Sequence, residues 1–127
     1  MGVAVAARTR VRVLLVEDDA ELARLYRGVL RLAGFDVQHA TNGWSALRLA
    51  DESPPDIVVL DIHLEGLRGD ELLKELSVHP ETRHIPAIVI TGIDIELAVT
   101  RARHILYRPC PPDRVLSAVE CYVQPAA

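Results

Sequence analysis

The sequence has no surplus of positive charge and no long hydrophobic run. Its 14 Lys and Arg residues are outnumbered by 18 Asp and Glu residues, and the formal net charge is −4 at pH 7. Proteins that bind nucleic acid directly usually carry a basic patch or stripe, whereas the basic residues here are scattered, so we expect no direct contact with nucleic acid. No apolar run approaches the roughly 20 residues that span a membrane, so we expect no membrane segment.

Cysteine is also scarce. The two cysteines, Cys110 and Cys121, lack the spacing of a metal site and have no accompanying histidine motif. One disulfide is possible in principle, but we interpret both side chains as reduced thiols of a cytoplasmic protein.

The length of 127 residues suits a single domain with a proper core. The apolar opening of residues 1–7 is too short for a signal peptide, and its basic residues follow the apolar part instead of preceding it. We therefore predict a flexible tail over residues 1–10, one domain over residues 11–124 and a short tail over residues 125–127.

Apolar segments and helical patterns alternate along the chain. Strands are predicted at residues 11–16, 35–40, 57–61, 86–90 and 104–107, and helices at residues 20–33, 42–52, 70–78, 95–103 and 112–123. Asp19 is predicted to cap the first helix and Gly34 to end it. The helical pattern over residues 95–103 is the weakest, because its apolar residues give no clean face.

This order predicts an α/β fold, a doubly wound parallel sheet of five strands with helices on both faces. The second strand alternates apolar and polar residues, which is typical of an edge strand. We therefore predict the flavodoxin-like strand order 2-1-3-4-5, with the three most apolar strands in the middle.

Polar side chains follow four of the predicted strands, at the end of an open α/β sheet where ligands bind. Glu17 and Asp18 follow the first strand, Asp61 the third, Thr91 the fourth and Arg108 the fifth. Taken singly, each has an ordinary explanation as a cap, turn or surface residue. Taken together, the carboxylates suit Mg²⁺, since clustered acids repel one another unless a cation joins them.

An aspartate beside such an ion can act as a nucleophile toward phosphorus. The cation, the Arg108 side chain and the Thr91 hydroxyl could then stabilise the oxygen atoms of a phosphoryl group.

The chain resembles the receiver domain of bacterial two-component response regulators, the CheY-like family, over residues 11–123. The matching motifs are VLLVEDD at residues 13–19, PDIVVLD at 55–61, IPAIVITG at 85–92 and the Arg108-Pro109 pair. The resemblance implies that Asp61 is the phosphoacceptor, receiving its group from a histidine kinase or a phosphotransfer protein. It also implies a signalling module that changes its binding to a downstream effector protein or domain, not an enzyme.

The same resemblance implies the remaining roles at the site. Glu17 and Asp18 would be the Mg²⁺-binding acid pair, and Asp61 with the backbone carbonyl of His63 would complete the protein ligands. Thr91 would be the switch hydroxyl, and Arg108 stands in the position of the usual lysine.

The sequence departs from the family pattern in three places. Arg108 replaces the lysine, although the following Pro109 is kept and a cis peptide bond is expected there. Ile105 stands where the family has a switch aromatic, and Tyr107, on the same side of the strand, is a candidate substitute. The interval from Thr91 to Arg108 is also short, which predicts a fourth helix that is short, displaced or partly disordered. Dimerisation through the usual face formed with that helix is therefore not expected.

Three alternatives stay open. The first is an interaction domain that works without phosphorylation, which the departures favour and the complete acid set opposes. The second is a phosphatase with an aspartate nucleophile, in which His63 would take the place of a second acid. The third, binding of a flavin, is suggested by the fold alone and is opposed by the acidic loop after the first strand.

Overall fold

A computed structural model of the chain describes residues 10–92 and 102–123. In chain order its elements are β1 (Arg12–Val16), α1 (Ala20–Leu32), β2 (Asp36–Ala40), α2 (Gly43–Glu52), β3 (Ile57–Asp61), α3 (Gly69–Val78), β4 (Ala87–Thr91), β5 (His104–Tyr107) and α4 (Pro112–Tyr122). Each agrees with a predicted element to within one or two residues at either end.

A helix is predicted over residues 95–103, and residues 95–101 of it lie outside the described residues. Ala102 and Arg103, its last two residues, are described and are not helical, so the prediction was wrong there. The backbone amide of Arg103 instead donates to the carbonyl of Ala87 at 2.8 Å, which starts the approach to β5. The expectation about the dimerisation face stays a prediction.

The five strands form one parallel sheet in the order β2-β1-β3-β4-β5, which confirms the predicted topology. Every residue of β3 and β4 is buried, as expected of parallel strands covered on both faces. β2 lies at an edge and is only partly buried. The carboxyl ends of β1 and β3 are therefore neighbours, as are those of β3 and β4.

Two apolar cores lie on opposite faces of the sheet. One packs α1 and α4 against the sheet and the other packs α2 and α3. Alternate residues of β3 serve the two cores, with Ile57 and Val59 in the first and Val58 and Leu60 in the second. Burial of this apolar surface holds the strand ends in place from both sides. Among the described residues, no helix has the length and apolar character that crossing a membrane requires.

Helix α1 begins and ends as predicted. The Asp19 carboxylate accepts hydrogen bonds from the amides of Glu21 and Leu22 at 3.0 and 3.1 Å, which is the geometry of an N-cap. Gly34 follows the helix with a φ of 100°, a left-handed conformation that glycine adopts without steric cost. Asp19 is thus occupied as a cap, while the two acids before it face the end of the sheet.

The connection from β3 to α3 passes very close to neighbouring backbone. A Cβ atom at Gly69 would lie 2.6 Å from the Cα of Ile62 and 2.8 Å from the carbonyl oxygen of Asp61. At Gly66, which has a φ of 75°, a Cβ would lie 3.5 Å from the indole ring of Trp44. The loop after Asp61 therefore folds tightly over the end of its own strand and under the exposed Trp44 side chain.

Candidate functional site

Three carboxylates converge at the carboxyl end of the sheet. Oxygen atoms of Glu17, Asp18 and Asp61 lie within 4.8 Å of one another, with Glu17 and Asp61 buried and Asp18 exposed. They are brought together because Val16 and Leu60, the residues before Glu17 and Asp61, pair across β1 and β3. Mg²⁺ favours a few carboxylates together with several waters, and the exposed Asp18 leaves the group open to solvent. The donor set fits that ion.

Both carboxylate oxygens of Asp61 accept a hydrogen bond. The amide of His63 donates to Oδ1 at 2.9 Å, and Nη2 of Arg108 donates to Oδ2 at 2.6 Å. The backbone of His63 thus lies against Asp61, while its imidazole is exposed. Asp61 is only 3% exposed, so it is a buried acid held in one orientation from two sides.

Glu17 is fixed through its backbone as well as its side chain. Its amide donates to the carbonyl of Ala40 at 3.0 Å, and its Oε2 accepts from the amide of Asp19 at 3.2 Å. Nε2 of His39 lies 2.8 Å from the Glu17 carbonyl oxygen, and since a carbonyl only accepts, that nitrogen carries the proton. Sequence reasoning missed His39; its polar side chain near the end of an edge strand was the available signal.

The Glu17 side chain, like that of Asp61, is almost fully buried. Burial raises the pKa of Glu17 from 4.5 to about 7, since desolvation disfavours the charged carboxylate. The negative charge of Asp61 raises this pKa further, while the Asp19 amide and the positive charge of Arg108 oppose the shift. Near neutral pH the carboxyl of Glu17 is therefore divided between its neutral and charged forms.

This raised pKa predicts that, without divalent cation, stability falls as pH rises. Between pH 4.5 and about 7 the folded protein holds a proton on Glu17 that the unfolded chain has lost. The free energy of unfolding should therefore fall across that window, by an amount on the order of 3 kcal/mol. Urea denaturation in a chelator, from about pH 5 to about pH 8, measures the decline.

The matched variant for this measurement is Glu17→Gln, which keeps the size of the side chain and cannot ionise. The part of the pH dependence that comes from residue 17 should be missing in the variant. Equal slopes in the two proteins would contradict the assignment.

Arg108 lies just after β5, where its amide donates to the carbonyl of Thr91 at 2.8 Å. Its Nη2 atom lies 2.6 Å from Asp61 Oδ2 and 3.5 Å from Glu17 Oε1. Burial lowers the pKa of the guanidinium, but the carboxylates of Asp61 and Glu17 outweigh that effect and raise it. The Arg108-Pro109 peptide bond is cis, as expected.

The predicted switch residues lie on β4 and β5. Thr91 is buried and is the last residue of β4, one residue beyond Ile90, which pairs with Asp61. Thr91 therefore belongs to β4, whereas the sequence predicted that it follows the end of this strand. On β5, Ile105 is partly buried and Tyr107 is exposed, and the buried Leu106 separates them, as expected for two residues on one side of a strand. Replacement of the switch aromatic by Tyr107 stays a prediction.

Comparison with known proteins gives consistent results. Residues 13–120 match the family model described as the response regulator receiver domain. The polar-differentiation response regulator DivK of Brucella anthropi is 30% identical over 116 residues, which cover 87% of this chain and 94% of that protein. The chemotaxis response regulator CheY4 of Vibrio cholerae shares the fold with a TM-score of 0.83 at 22% identity, over 91% of this chain and all of that one (100%).

A second solved structure is the receiver domain of the sensor histidine kinase PA1611 from Pseudomonas aeruginosa. It matches with a TM-score of 0.80 at 22% identity, over 87% of this chain and 95% of that chain, and it is described with a magnesium ion coordinated in its active-site cleft.

Proposed function

This chain belongs to the response regulator receiver domain family of two-component signalling, and from that premise we propose that it accepts a phosphoryl group on Asp61. One observation carries the proposal. The buried carboxylate of Asp61 lies within 4.8 Å of two further acids and 2.6 Å from a guanidinium group. Negative ligands for a cation and a positive side chain for phosphoryl oxygens thus flank one nucleophile.

The donor is a phosphorylated histidine of a histidine kinase or of a phosphotransfer protein. A carboxylate oxygen of Asp61 attacks phosphorus, an O–P bond forms as the N–P bond of the donor breaks, and the leaving imidazole takes a proton. Burial keeps the carboxylate of Asp61 free of competing solvent, and the His63 amide fixes its orientation.

Glu17, Asp18, Asp61 and the backbone carbonyl of His63 would hold Mg²⁺. When bound, Mg²⁺ supplies positive charge that neutralises the oxygen atoms of the transferring group. Support for this ion comes from the donor set and from the magnesium ion described in the related receiver domain of PA1611. The Thr91 hydroxyl would bond one phosphoryl oxygen and Arg108 another.

The output is a change in a protein-binding surface that a downstream effector protein or domain recognises. We propose that residues 11–124 form this signalling unit, that it works in the cytoplasm, and that it does not turn over free substrates. The exposed His63 imidazole has no described hydrogen bond to Asp61, whose contact with this residue is to the backbone amide. That arrangement gives no support to a phosphatase in which His63 protonates a leaving group.

The test is incubation of the full chain with Mg²⁺ and acetyl phosphate, followed by intact-mass spectrometry and peptide mapping. We expect the mass to rise by one phosphoryl group, the label to map to Asp61, and the reaction to stop when a chelator removes the ion. Beryllofluoride should bind under the same conditions as a non-covalent mimic.

Two outcomes would contradict the proposal. Absence of both the covalent and the beryllofluoride adduct would leave an interaction domain that works without phosphorylation. Sustained hydrolysis of a chromogenic phosphate ester would instead indicate a phosphatase.

A further inference from the structure

Arg108 places a positive charge directly on the acids that are to hold the cation. A single nitrogen atom, Nη2, lies 2.6 Å from Asp61 and 3.5 Å from Glu17. These are two of the three carboxylates of the acid cluster, and both are buried. A guanidinium remains charged at any ordinary pH, so the charge of this pair of acids is partly neutralised before any cation arrives.

The contact also uses one lone pair of Asp61. Oδ1 of Asp61 accepts from the His63 amide and Oδ2 accepts from Arg108. Each of these oxygens keeps a second lone pair that a divalent cation can use, but an ion bound to Asp61 would lie close to the positive charge of the guanidinium. The cation and the guanidinium therefore compete for the negative charge of Asp61.

The guanidinium lies at the end of a long, flexible side chain. The backbone of Arg108 is fixed by its hydrogen bond to the Thr91 carbonyl. Its Cδ atom would lie 4.0 Å from a Cβ added at Gly92, which is no closer than ordinary van der Waals contact, so the backbone there does not crowd the Arg108 side chain. The Arg108 side chain is 36% exposed, in contrast to the 3% of Asp61.

We propose that the Arg108 guanidinium, which lies against Asp61 and Glu17 in the resting protein, is a tethered competitor of the divalent cation for the negative charge of these two acids. This inference rests on the proposed function of the acid cluster. The cation then binds more weakly than the three carboxylates alone would allow. Once a phosphoryl group is on Asp61, the guanidinium has a new negative partner on the same side of the site.

Arginine is better suited to this competition than lysine. Its guanidinium is less strongly hydrated than an ammonium group, so it gives up less hydration when it lies beside two buried carboxylates. The side chain at position 108 therefore sets the concentration of cation that is needed to occupy the site.

The experiment measures Mn²⁺ binding by electron paramagnetic resonance, which reports the free ion, and confirms it with competition by Mg²⁺. The wild-type chain is compared with Arg108→Gln and Arg108→Lys at constant ionic strength. We expect Arg108→Gln to bind Mn²⁺ about tenfold more tightly, because a positive charge close to the ion is removed, and Arg108→Lys to fall between the two. The control is Arg31→Gln, which makes the same change of charge at an exposed residue in the last turn of α1, at the far end of that helix from the acids.

A second readout separates this role from a merely structural one. Arg108→Gln should bind the cation more tightly and yet be phosphorylated by acetyl phosphate more slowly, since the positive partner of the phosphoryl group is lost. Opposite changes in the two measurements are not expected from a damaged fold. Circular dichroism confirms that each variant is folded.

Equal Mn²⁺ affinity of the wild type and Arg108→Gln, with both proteins phosphorylated on Asp61, would overturn the proposed competition between Arg108 and the cation. The proposed function would remain intact. An increase of the same size in Arg31→Gln would overturn this competition too, because the effect would then be one of net charge. Failure of every variant to bind Mn²⁺ or to be phosphorylated would overturn the proposed function itself.

Discussion

Replacement of Asp61 by asparagine is expected to abolish phosphorylation. The Asp61→Asn side chain has nearly the same shape, and its oxygen can still accept a hydrogen bond from the His63 amide. The amide nitrogen is not a nucleophile toward phosphorus, so no acyl phosphate forms. Intact-mass spectrometry after treatment with acetyl phosphate and Mg²⁺ should show only the unmodified chain.

Asparagine should also change the position of Arg108. In the wild type Nη2 donates to Oδ2 at 2.6 Å, and in the variant either a neutral oxygen or a second N–H donor would face it. The ion pair with Asp61 is lost, and Glu17 remains as a charged partner of the guanidinium.

The control for this prediction is Asp51→Asn, which makes the same chemical change at an exposed position in α2. It should be phosphorylated at the wild-type rate. A phosphoryl group that still appears on Asp61→Asn at the wild-type level would show that another residue is the acceptor.

The second large effect is expected from Gly69→Ala. The added methyl group would lie 2.6 Å from the Cα of Ile62 and 2.8 Å from the carbonyl oxygen of Asp61. Both are backbone atoms, which cannot rotate away, so either α3 or the end of β3 must shift. We expect the free energy of unfolding to fall by about 2 to 4 kcal/mol.

The same displacement should slow the chemistry at Asp61, since the carbonyl in contact with the new methyl group belongs to that residue. Urea denaturation measures the stability, and the rate of labelling by acetyl phosphate measures the site. We expect both to decline together.

Gly28→Ala provides a matched control within the same chain. Gly28 lies in α1, and an added Cβ there meets nothing within 4 Å. Alanine is favoured over glycine in a helix, so this variant should gain about 0.5 to 1 kcal/mol. If the two alanine variants had the same effect, the close approach at Gly69 would not be the cause.

The sequence was most informative where a local pattern decides the outcome. The apolar runs of β1, β3 and β4 predicted central strands, and the alternation in β2 predicted an edge, because side-chain period and burial are properties of the strand itself. The convergence of Glu17, Asp18 and Asp61 followed from strand order, since the ends of adjacent parallel strands must meet.

Other features of the site depend on contacts between distant side chains. The raised pKa of Glu17 comes from the packing that buries it, and the Arg108 ion pairs depend on the path of a long side chain across two neighbouring strands. The hydrogen bond from His39 to the Glu17 carbonyl requires the register of β1 and β2 to be known. None of these leaves a periodic pattern in the sequence.

The loop that follows Asp61 carries its own optical reporter. Trp44 is the only tryptophan in the sequence, and its exposed indole ring lies directly over Gly66 in that loop. Indole emission responds to the polarity and the quenching groups around the ring, so the fluorescence of the unlabelled protein arises at the margin of the site. Rearrangement of the loop around Asp61 can therefore be followed in real time by stopped-flow fluorescence, without adding a dye.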